Sequence, residues 1–220
     1  MFMRHPNTSR PPIILASASP RRRQLLVEAG YDFTITPPES AESGANQNES
    51  PEAMVARLAW EKALDVVARV ETGIVLGCDT VAECRGGILG KPSGMEDARR
   101  MLGLLQGSQH RVLSGLCLWE AGTQRYAVEV AVTRLFMEPL SAQRIEGYLA
   151  SGQWRGKAGA FGYQDGHDWL RILEGSESNV VGLPLELLEQ MLGNMTGEKV
   201  RGKMSARKES PPRRDRNNTI

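Results

Sequence analysis

The sequence is poor in cysteine, has almost no net charge and contains no long apolar run. Its 220 residues include three cysteines, Cys78, Cys84 and Cys117, and none of them has C-x-x-C spacing or forms a metal-ligand pattern. All three lie in apolar or strand-like surroundings. We interpret them as reduced, mostly buried thiols, which favours a cytoplasmic location.

The balance of charges excludes a global electrostatic attraction to nucleic acid or membrane. The formal net charge is +1 at neutral pH, so no overall field draws the protein to DNA or to a bilayer. No segment has the length of a membrane span, and residues 1–12 lack the apolar core of a signal peptide. We therefore expect a soluble intracellular protein with no membrane partner.

The chain is long enough for one large or two-lobed domain. We predict a flexible N-terminal extension over residues 1–12, a folded domain over 13–193 and a disordered basic tail over 194–220. The tail holds eight Lys or Arg against three Asp or Glu and almost no large apolar residue, so it cannot bury a core. A solubilising role is favoured over contact with RNA, and nucleic acid is not an expected partner.

Strands alternate with helices through the first half of the sequence, whereas the middle holds an antiparallel pair. That pair is predicted over Arg111–Trp119 and Tyr126–Phe136, on either side of a turn at Gly122. A last helix is predicted over Leu185–Leu192. This order indicates an α/β fold with a mixed sheet flanked by helices.

An apolar run from Val75 to Cys78 leads directly to Asp79 and Thr80. We expect Asp79 at or near the end of a buried strand, where α/β proteins place ligand chemistry. Gly86 and Gly87 indicate a tight turn, after which a returning strand brings Lys91 back towards Asp79. From these residues alone two interpretations stay open, namely a metal-bound water beside a phosphate oxygen, or a structural ion pair.

A short strand, small residues and a helix start follow one another near the N-terminus. Ser17 and Ser19 follow a strand, Ser19 is a candidate N-cap, and Pro20 suits the first helical position. Arginines in the next turn oppose the helix dipole, and a bound phosphate would remove that conflict. The alternative is a solvated basic turn.

Two further features carry less information. The segment 156–164 is too rich in glycine for regular structure and suits close approach to a ligand, although a structural loop explains it almost as well. His110 follows a turn and has no identifiable nucleophile beside it, so a structural or surface role is favoured over a catalytic one.

Six separated motifs agree in order and spacing with one family. They are Leu15-Ala-Ser-Ala-Ser-Pro-Arg-Arg22, Arg57-Leu-Ala-Trp-Glu-Lys62-Ala, Gly77-Cys-Asp79-Thr80-Val, Ile88-Leu-Gly-Lys91-Pro, Lys157-Ala-Gly-Ala-Phe-Gly-Tyr-Gln164 and Asn179-Val-Val-Gly-Leu-Pro184. Together they resemble Maf-like proteins from about Ile13 to Leu192. The resemblance implies a fold similar to that of inosine-triphosphate pyrophosphatases, in which a long mixed sheet joins two lobes around a central cleft.

The resemblance also implies an activity, namely cleavage of nucleoside triphosphates to a monophosphate and pyrophosphate with Mg²⁺ or Mn²⁺. By matched position, Asp79 is the general base and Lys91 contacts phosphate. The implied roles of the remaining residues are as follows: specificity for Arg21, Thr80 and Gln164, metal binding for Glu42 and Asp79, and substrate binding for Ser17, Ser19, Arg22, Lys62 and Lys157. Whether Asp79 acts mainly as base or as metal ligand stays open.

The Asp79-Thr80 pair and the loop ending at Gln164 resemble members that act on dTTP and UTP. Three positions depart from the family pattern, at Arg155-Gly156, Ser114 and Glu177. The competing hypotheses are a purine-selective enzyme of the same fold and a non-catalytic nucleotide- or nucleic-acid-binding regulator of cell division or septum formation. The resemblance also allows a homodimer.

Overall fold

The computed structural model describes residues 12–41, 43–44 and 46–197 of the chain. Residues 1–11, Glu42, Ala45 and the predicted tail from residue 198 onwards lie outside this description. The strands are β1 (Ile13–Ala16), β2 (Phe33–Ile35), β3 (Ile74–Cys84), β4 (Gly87–Leu89), β5 (Ser108–Glu120), β6 (Tyr126–Met137) and β7 (Leu170–Glu174). The helices are α1 (Pro20–Glu28), α2 (Pro51–Val67), α3 (Met95–Leu105), α4 (Ala142–Ser151), α5 (Glu177–Val181) and α6 (Leu185–Thr196).

The seven strands form one mixed sheet, in the order β2-β1-β3-β5-β6-β7 with β4 paired to β3. The pairs β1–β2 and β1–β3 are parallel, whereas β3–β5, β5–β6 and β6–β7 are antiparallel. The α/β fold with a mixed sheet flanked by helices is thus confirmed.

One edge of β3 is shared by two short strands that do not meet. β1 pairs with Ile74–Gly77, and β4 pairs with Ala82–Cys84 after a turn in which Arg85 and Gly86 both have positive φ. Residues 78–81 therefore lack a strand partner on this edge, while β5 pairs with the other edge from Ile74 to Glu83. A cleft opens where the sheet is interrupted.

Two groups of buried side chains lie on either side of this interruption. In one lobe, α1, α2 and α6 pack around β1 and the first half of β3. In the other, α3 and α4 pack with β7 and the second half of β3. The long strands β3, β5 and β6 join the two lobes, as the sequence predicts.

Helix α2 approaches the sheet very closely because two glycines face it. A Cβ on Gly77 would lie 2.1 Å from the carbonyl oxygen of Ala59, and a Cβ on Gly115 would lie 2.1 Å from that of Val55. No side chain fits at either position. The close packing sets the height of Lys62 above the sheet.

The structure corrects several element boundaries. Asp79 lies in the middle of β3 rather than near its end, because pairing with β5 carries the strand on to Glu83 and pairing with β4 includes Cys84. The short helix α5 was not predicted, and α6 continues to Thr196, past the predicted end at Leu192 and the predicted domain boundary after residue 193.

The cysteines are buried and unpaired with one another, as predicted. None of the helices within residues 12–197, as far as these are described, has both the length and the apolar character that a membrane span requires.

Candidate active site

A cleft of about 1160 Å³ lies between the two lobes, beside the edge of β3 where residues 78–81 have no strand partner. It brings together every predicted substrate-site residue that the structure describes. These are Ser17, Ser19, Arg21, Arg22, Lys62, Asp79, Thr80, Lys91, Lys157 and Gln164. The residues come from five separate motifs, so their convergence follows from the fold and not from proximity in sequence.

Asp79 and Lys62 face one another on the α2 side of the sheet. The Nζ of Lys62 lies 2.5 Å from Oδ1 of Asp79, and the Asp79 side chain is only 8% exposed. A carboxylate this deeply buried is retained in charged form when a cation and hydrogen bonds compensate its desolvation. The contact with Lys62 of α2 orients the Asp79 carboxylate at the cleft.

Arg22 organises the opposite face of β3. Its Nε donates to the Gly182 carbonyl at 2.9 Å, its Nη1 to Ser17 Oγ at 3.1 Å and its Nη2 to Thr80 Oγ1 at 3.2 Å. A guanidinium has five N–H donors, so three of them are used within the protein. Only the two remaining N–H donors of Arg22 are therefore available for its predicted contact with a substrate phosphate.

The Thr80 hydroxyl has three protein neighbours. It accepts from Arg22, lies 2.8 Å from Ser114 Oγ and lies 3.3 Å from the Gly182 carbonyl oxygen, to which it can donate. A hydroxyl offers one donor and two acceptor positions. With Ser114 donating, all three are filled, so Thr80 acts on the cleft mainly by holding Arg22.

Arg21 spans the mouth of the cleft. Its Nη2 donates to the Gly156 carbonyl oxygen at 2.8 Å, which links α1 in one lobe to the glycine-rich segment of the other. Burial lowers the pKa of Arg21, the neighbouring charge of Arg22 lowers it further, and Asp165 opposes both effects. The adjacent positive charges of Arg21 and Arg22 favour binding of an anion at this position.

The glycine-rich segment forms two single-turn helices, Ala158–Ala160 and Tyr163–Asp165. The backbone N–H of Gly159 donates to the Gly90 carbonyl at 3.0 Å, which ties the segment to the residue before Lys91. Lys91 and Gln164 are exposed and both line the cleft. The hairpin formed by β3 and β4 thus returns Lys91 to the cleft, as predicted.

The loop that precedes α2 is anchored to that helix at two points. Asp65 accepts from the backbone N–H groups of Glu39 and Ser40, and hydrogen bonds, first from the Ser40 hydroxyl, hold the pKa of this carboxyl well below its usual range. Arg57 donates to the Gly44 carbonyl and to Ser43 Oγ. Residues 41 and 43 line the cleft, whereas Glu42 lies outside the described residues, so its predicted metal role stays a prediction.

Three residues at or behind the cleft were not predicted from the sequence as functional: Asp165 and Gly182 line it, whereas Ser114 is fully buried behind Thr80. Asp165 makes an ion pair with Lys157, Gly182 accepts the Arg22 and Thr80 hydrogen bonds, and Ser114 completes the Thr80 contacts. Asp165 directly follows the Gln164 motif, but its pairing with Lys157 depends on how the loop closes. Gly182 contributes only its backbone carbonyl oxygen, and because every residue has one, the sequence could not indicate this role.

His110 lies away from the cleft chemistry. It belongs to β5, is 3% exposed, and its ring packs edge-on against Phe161 with centroids 5.2 Å apart. Burial lowers its pKa to about 4. The predicted structural role of His110 fits this environment, although the residue is in a strand rather than a turn.

Comparison with known proteins identifies the family. The model of the Maf-like protein family matches residues 12–195. The dTTP/UTP pyrophosphatase of Rhodopirellula baltica is 53% identical over 184 residues, which cover 83% of this chain and 81% of that protein. The dTTP/UTP pyrophosphatase of Ruminiclostridium cellulolyticum is 36% identical over 181 residues, or 82% of this chain and 94% of that protein.

Among solved structures, the Ham1 protein of Staphylococcus aureus aligns with 86% of this chain and all of that one, at 11% identity and a TM-score of 0.48. The family match extends across both lobes and all six motifs that line the cleft. The chain belongs to the Maf-like protein family.

Proposed function

We propose that this protein is a metal-dependent pyrophosphatase that hydrolyses nucleoside triphosphates, with dTTP and UTP as the favoured substrates. The observation that carries the proposal is the convergence of all ten described candidate residues on one cleft. Relatives named dTTP/UTP pyrophosphatase support the choice of substrates. The expected role is removal of surplus or non-canonical nucleotides from the pool.

Asp79 is the proton acceptor in this proposal. It takes a proton from the attacking water as the water oxygen bonds to phosphorus, and the anhydride between the α- and β-phosphates breaks with its electron pair leaving on pyrophosphate. Lys62, 2.5 Å from Oδ1 of Asp79, holds the carboxylate in its orientation. The Asp79 carboxylate therefore enters the reaction already positioned.

Cations around the cleft neutralise the triphosphate. Arg21, Lys91 and Lys157 line it from three different elements, and the backbone at the start of α1 adds N–H donors near Ser19. Hydrolysis of a phosphoanhydride depends chiefly on positioning and on stabilising negative charge. The arrangement of charges matches the charge of the substrate.

A divalent metal ion fits the donor chemistry of this cleft. Among the residues that the structure describes, no group of three His, Cys, Asp or Glu side chains could hold a metal ion by itself. Mg²⁺ usually takes one or two carboxylates together with substrate phosphates and water. Asp79 and Glu42 would hold Mg²⁺ or Mn²⁺ together with the substrate, and the bound ion would supply positive charge to the phosphate oxygens.

Selection of the base is assigned to Gln164, with Arg21 and Thr80 as the other specificity positions that the family resemblance implies. A glutamine amide offers one donor face and one acceptor, which suits the edge of thymine or uracil. Gln164 is exposed and lines the cleft. Its side chain is therefore available to a ligand.

The test is pyrophosphate release from dTTP, UTP, CTP, GTP, ITP and 7-methyl-GTP in the presence of Mg²⁺ or Mn²⁺. Wild-type protein should turn over dTTP and UTP best, and D79N should lose at least about 100-fold in kcat, the scale of general-base contributions. Turnover confined to other bases would contradict the substrate assignment. Equal activity of D79N would contradict the role of Asp79.

A matched control keeps the result specific. Glu83 is another buried carboxylate of β3 and is paired with Arg111 at 2.7 Å, but it does not line the cleft. E83Q should therefore keep wild-type kcat. Thermal melting of both variants verifies that the comparison is made between folded proteins.

A further inference from the structure

We propose that the ion pair between Lys157 and Asp165 closes the segment between them into a fixed loop, and that Asp165 is thereby a positioning residue for base selection. Asp165 acts through the neighbouring Gln164 and through Lys157, not on the reacting atoms. The inference rests on the proposed function, because it concerns how that same cleft distinguishes nucleotides.

The pair is shielded and has more than one contact. The Nζ of Lys157 lies 2.7 Å from Oδ1 and 2.5 Å from Oδ2 of Asp165, and the two side chains are 16% and 15% exposed. The hydroxyl of Tyr148, a core residue of α4, donates to Oδ2 at 3.3 Å. The carboxylate is thus held by a cation from the loop and by a donor from the lobe beneath it.

Gly162 shows how tightly the loop closes around this pair. A Cβ on Gly162 would lie 2.2 Å from Lys157 Nζ and 2.3 Å from Asp165 Oδ2. The backbone dihedrals of Gly162, φ −126° and ψ 124°, are those of ordinary extended chain, so no conformational demand requires glycine here. The demand is steric, because the ion pair lies directly against the Gly162 α-carbon.

The location of the pair gives it a consequence for specificity. Lys157 is assigned to the phosphates and Gln164 to the base. Asp165 forms an ion pair with Lys157 and is the next residue in the chain after Gln164. The ion pair therefore fixes the distance between the two ends of the bound nucleotide. Because the loop between Lys157 and Asp165 is held in one conformation, it fits a base of one size. We therefore expect it to favour a pyrimidine base over the larger purine base.

The test compares three variants. D165N removes the charge and keeps the shape, whereas G162A separates the two partners while both remain charged. D168N is the matched control, since Asp168 is an exposed acid three residues further on that pairs with Arg144. For each protein, kcat and KM are measured with dTTP and GTP, together with the Kd of the α,β-methylene analogues of both nucleotides and the melting temperature.

We expect the preference for dTTP over GTP to fall about tenfold in both D165N and G162A, the size of one displaced pocket contact. The change should appear in KM and Kd, with kcat for dTTP largely kept. In D168N the preference should stay within about a factor of two, as is usual for exposed ion pairs. A merely structural role would lower kcat for both nucleotides in proportion to the loss of melting temperature.

Three outcomes would overturn the inference. They are an unchanged preference in D165N and G162A, a parallel fall for both nucleotides, and tighter binding of both analogues, which would mean that Asp165 competes with phosphate for Lys157. A wild-type protein that binds the dTTP analogue but releases no pyrophosphate would instead contradict the proposed function alone. In that case the Kd values decide the positioning role.

Discussion

Gly115 of β5 lies directly opposite Asp79 of β3 in the sheet register. Because Gly115 has no side chain, the Val55 carbonyl of α2 occupies the space that a Cβ would need, at 2.1 Å from the Cβ position. The same helix carries Lys62, whose Nζ reaches Asp79. The glycine thus sets the distance between the acid of the sheet and the lysine of the helix.

We predict that G115A displaces α2 and separates Lys62 from Asp79. The clash is with backbone, which cannot rotate away, so the cost should be about 1–3 kcal/mol of unfolding free energy, as for other overpacked sites. Turnover of dTTP should fall further than stability, because positioning errors of about 1 Å cost roughly 100-fold in rate. Urea unfolding and initial rates measure the two effects.

G103A provides the control for that variant. Gly103 lies inside α3, and a Cβ there would meet nothing within 4 Å. Alanine should therefore stabilise the helix by about 0.5–1 kcal/mol and leave turnover unchanged. If G115A behaves like G103A, the proposed spacing role of Gly115 is wrong.

Ser114 is predicted to support catalysis without touching substrate. Its side chain is fully buried and its Oγ lies 2.8 Å from Thr80 Oγ1, which in turn accepts from Arg22. S114A leaves Thr80 with one partner fewer and loosens Arg22, so KM for dTTP should rise about tenfold, with a loss of about 1 kcal/mol in stability. Steady-state kinetics and urea unfolding check both values.

Ser108 provides the control for Ser114. It lies in the same strand and outside the cleft, and its hydroxyl donates to the Leu105 carbonyl oxygen at 2.8 Å. S108A should lose a similar amount of stability and keep its KM. Equal KM values for S114A and wild type would show that Thr80 and Arg22 hold their positions without Ser114.

The buried imidazole of His110 makes stability depend on pH. Burial lowers its pKa from an ordinary 6.5 to about 4, so the unfolded chain takes up this proton more readily than the folded one. The contribution is therefore fully present above about pH 6.5 and is lost as the pH falls to about 4, by roughly 3 kcal/mol. Protonation opposes folding throughout that window.

The measurement is urea unfolding between pH 7 and pH 4. In H110L the fall in unfolding free energy across this range should be roughly 3 kcal/mol smaller than in wild type. H167Q serves for comparison, since burial lowers the pKa of His167 too, but its side chain is 24% exposed. Identical pH profiles for H110L and wild type would contradict the prediction.

How much of this could be predicted differs between the fold and the site. Periodicity and turn residues predicted the mixed sheet and the hairpin that returns Lys91, since both depend on local signals. Asp79 was expected near a strand end because its apolar run stops there, whereas pairing with β5 and β4 extends β3 to Cys84. That extension is a tertiary effect, and no neighbouring residue reveals it.

The site was predicted as a set of residues but not as a set of contacts. Arg22 was expected to face phosphate, and the structure shows it also holding Thr80 and Gly182. Asp165 was missed because its partner Lys157 lies eight positions away across two turns. Such pairings depend on how a loop closes, which residue types alone do not determine.

The interrupted edge of β3 constrains how this sequence can vary in length. Side chains along a strand alternate between faces, so Asp79 reaches Lys62 on one side of the sheet while Thr80 reaches Arg22 on the other. A one-residue insertion just before Asp79 would exchange the acid and the hydroxyl between the two faces, and one between Asp79 and Thr80 would bring both to the same face. Natural length variation among functional relatives must therefore spare residues 78–81 and fall in the surrounding turns.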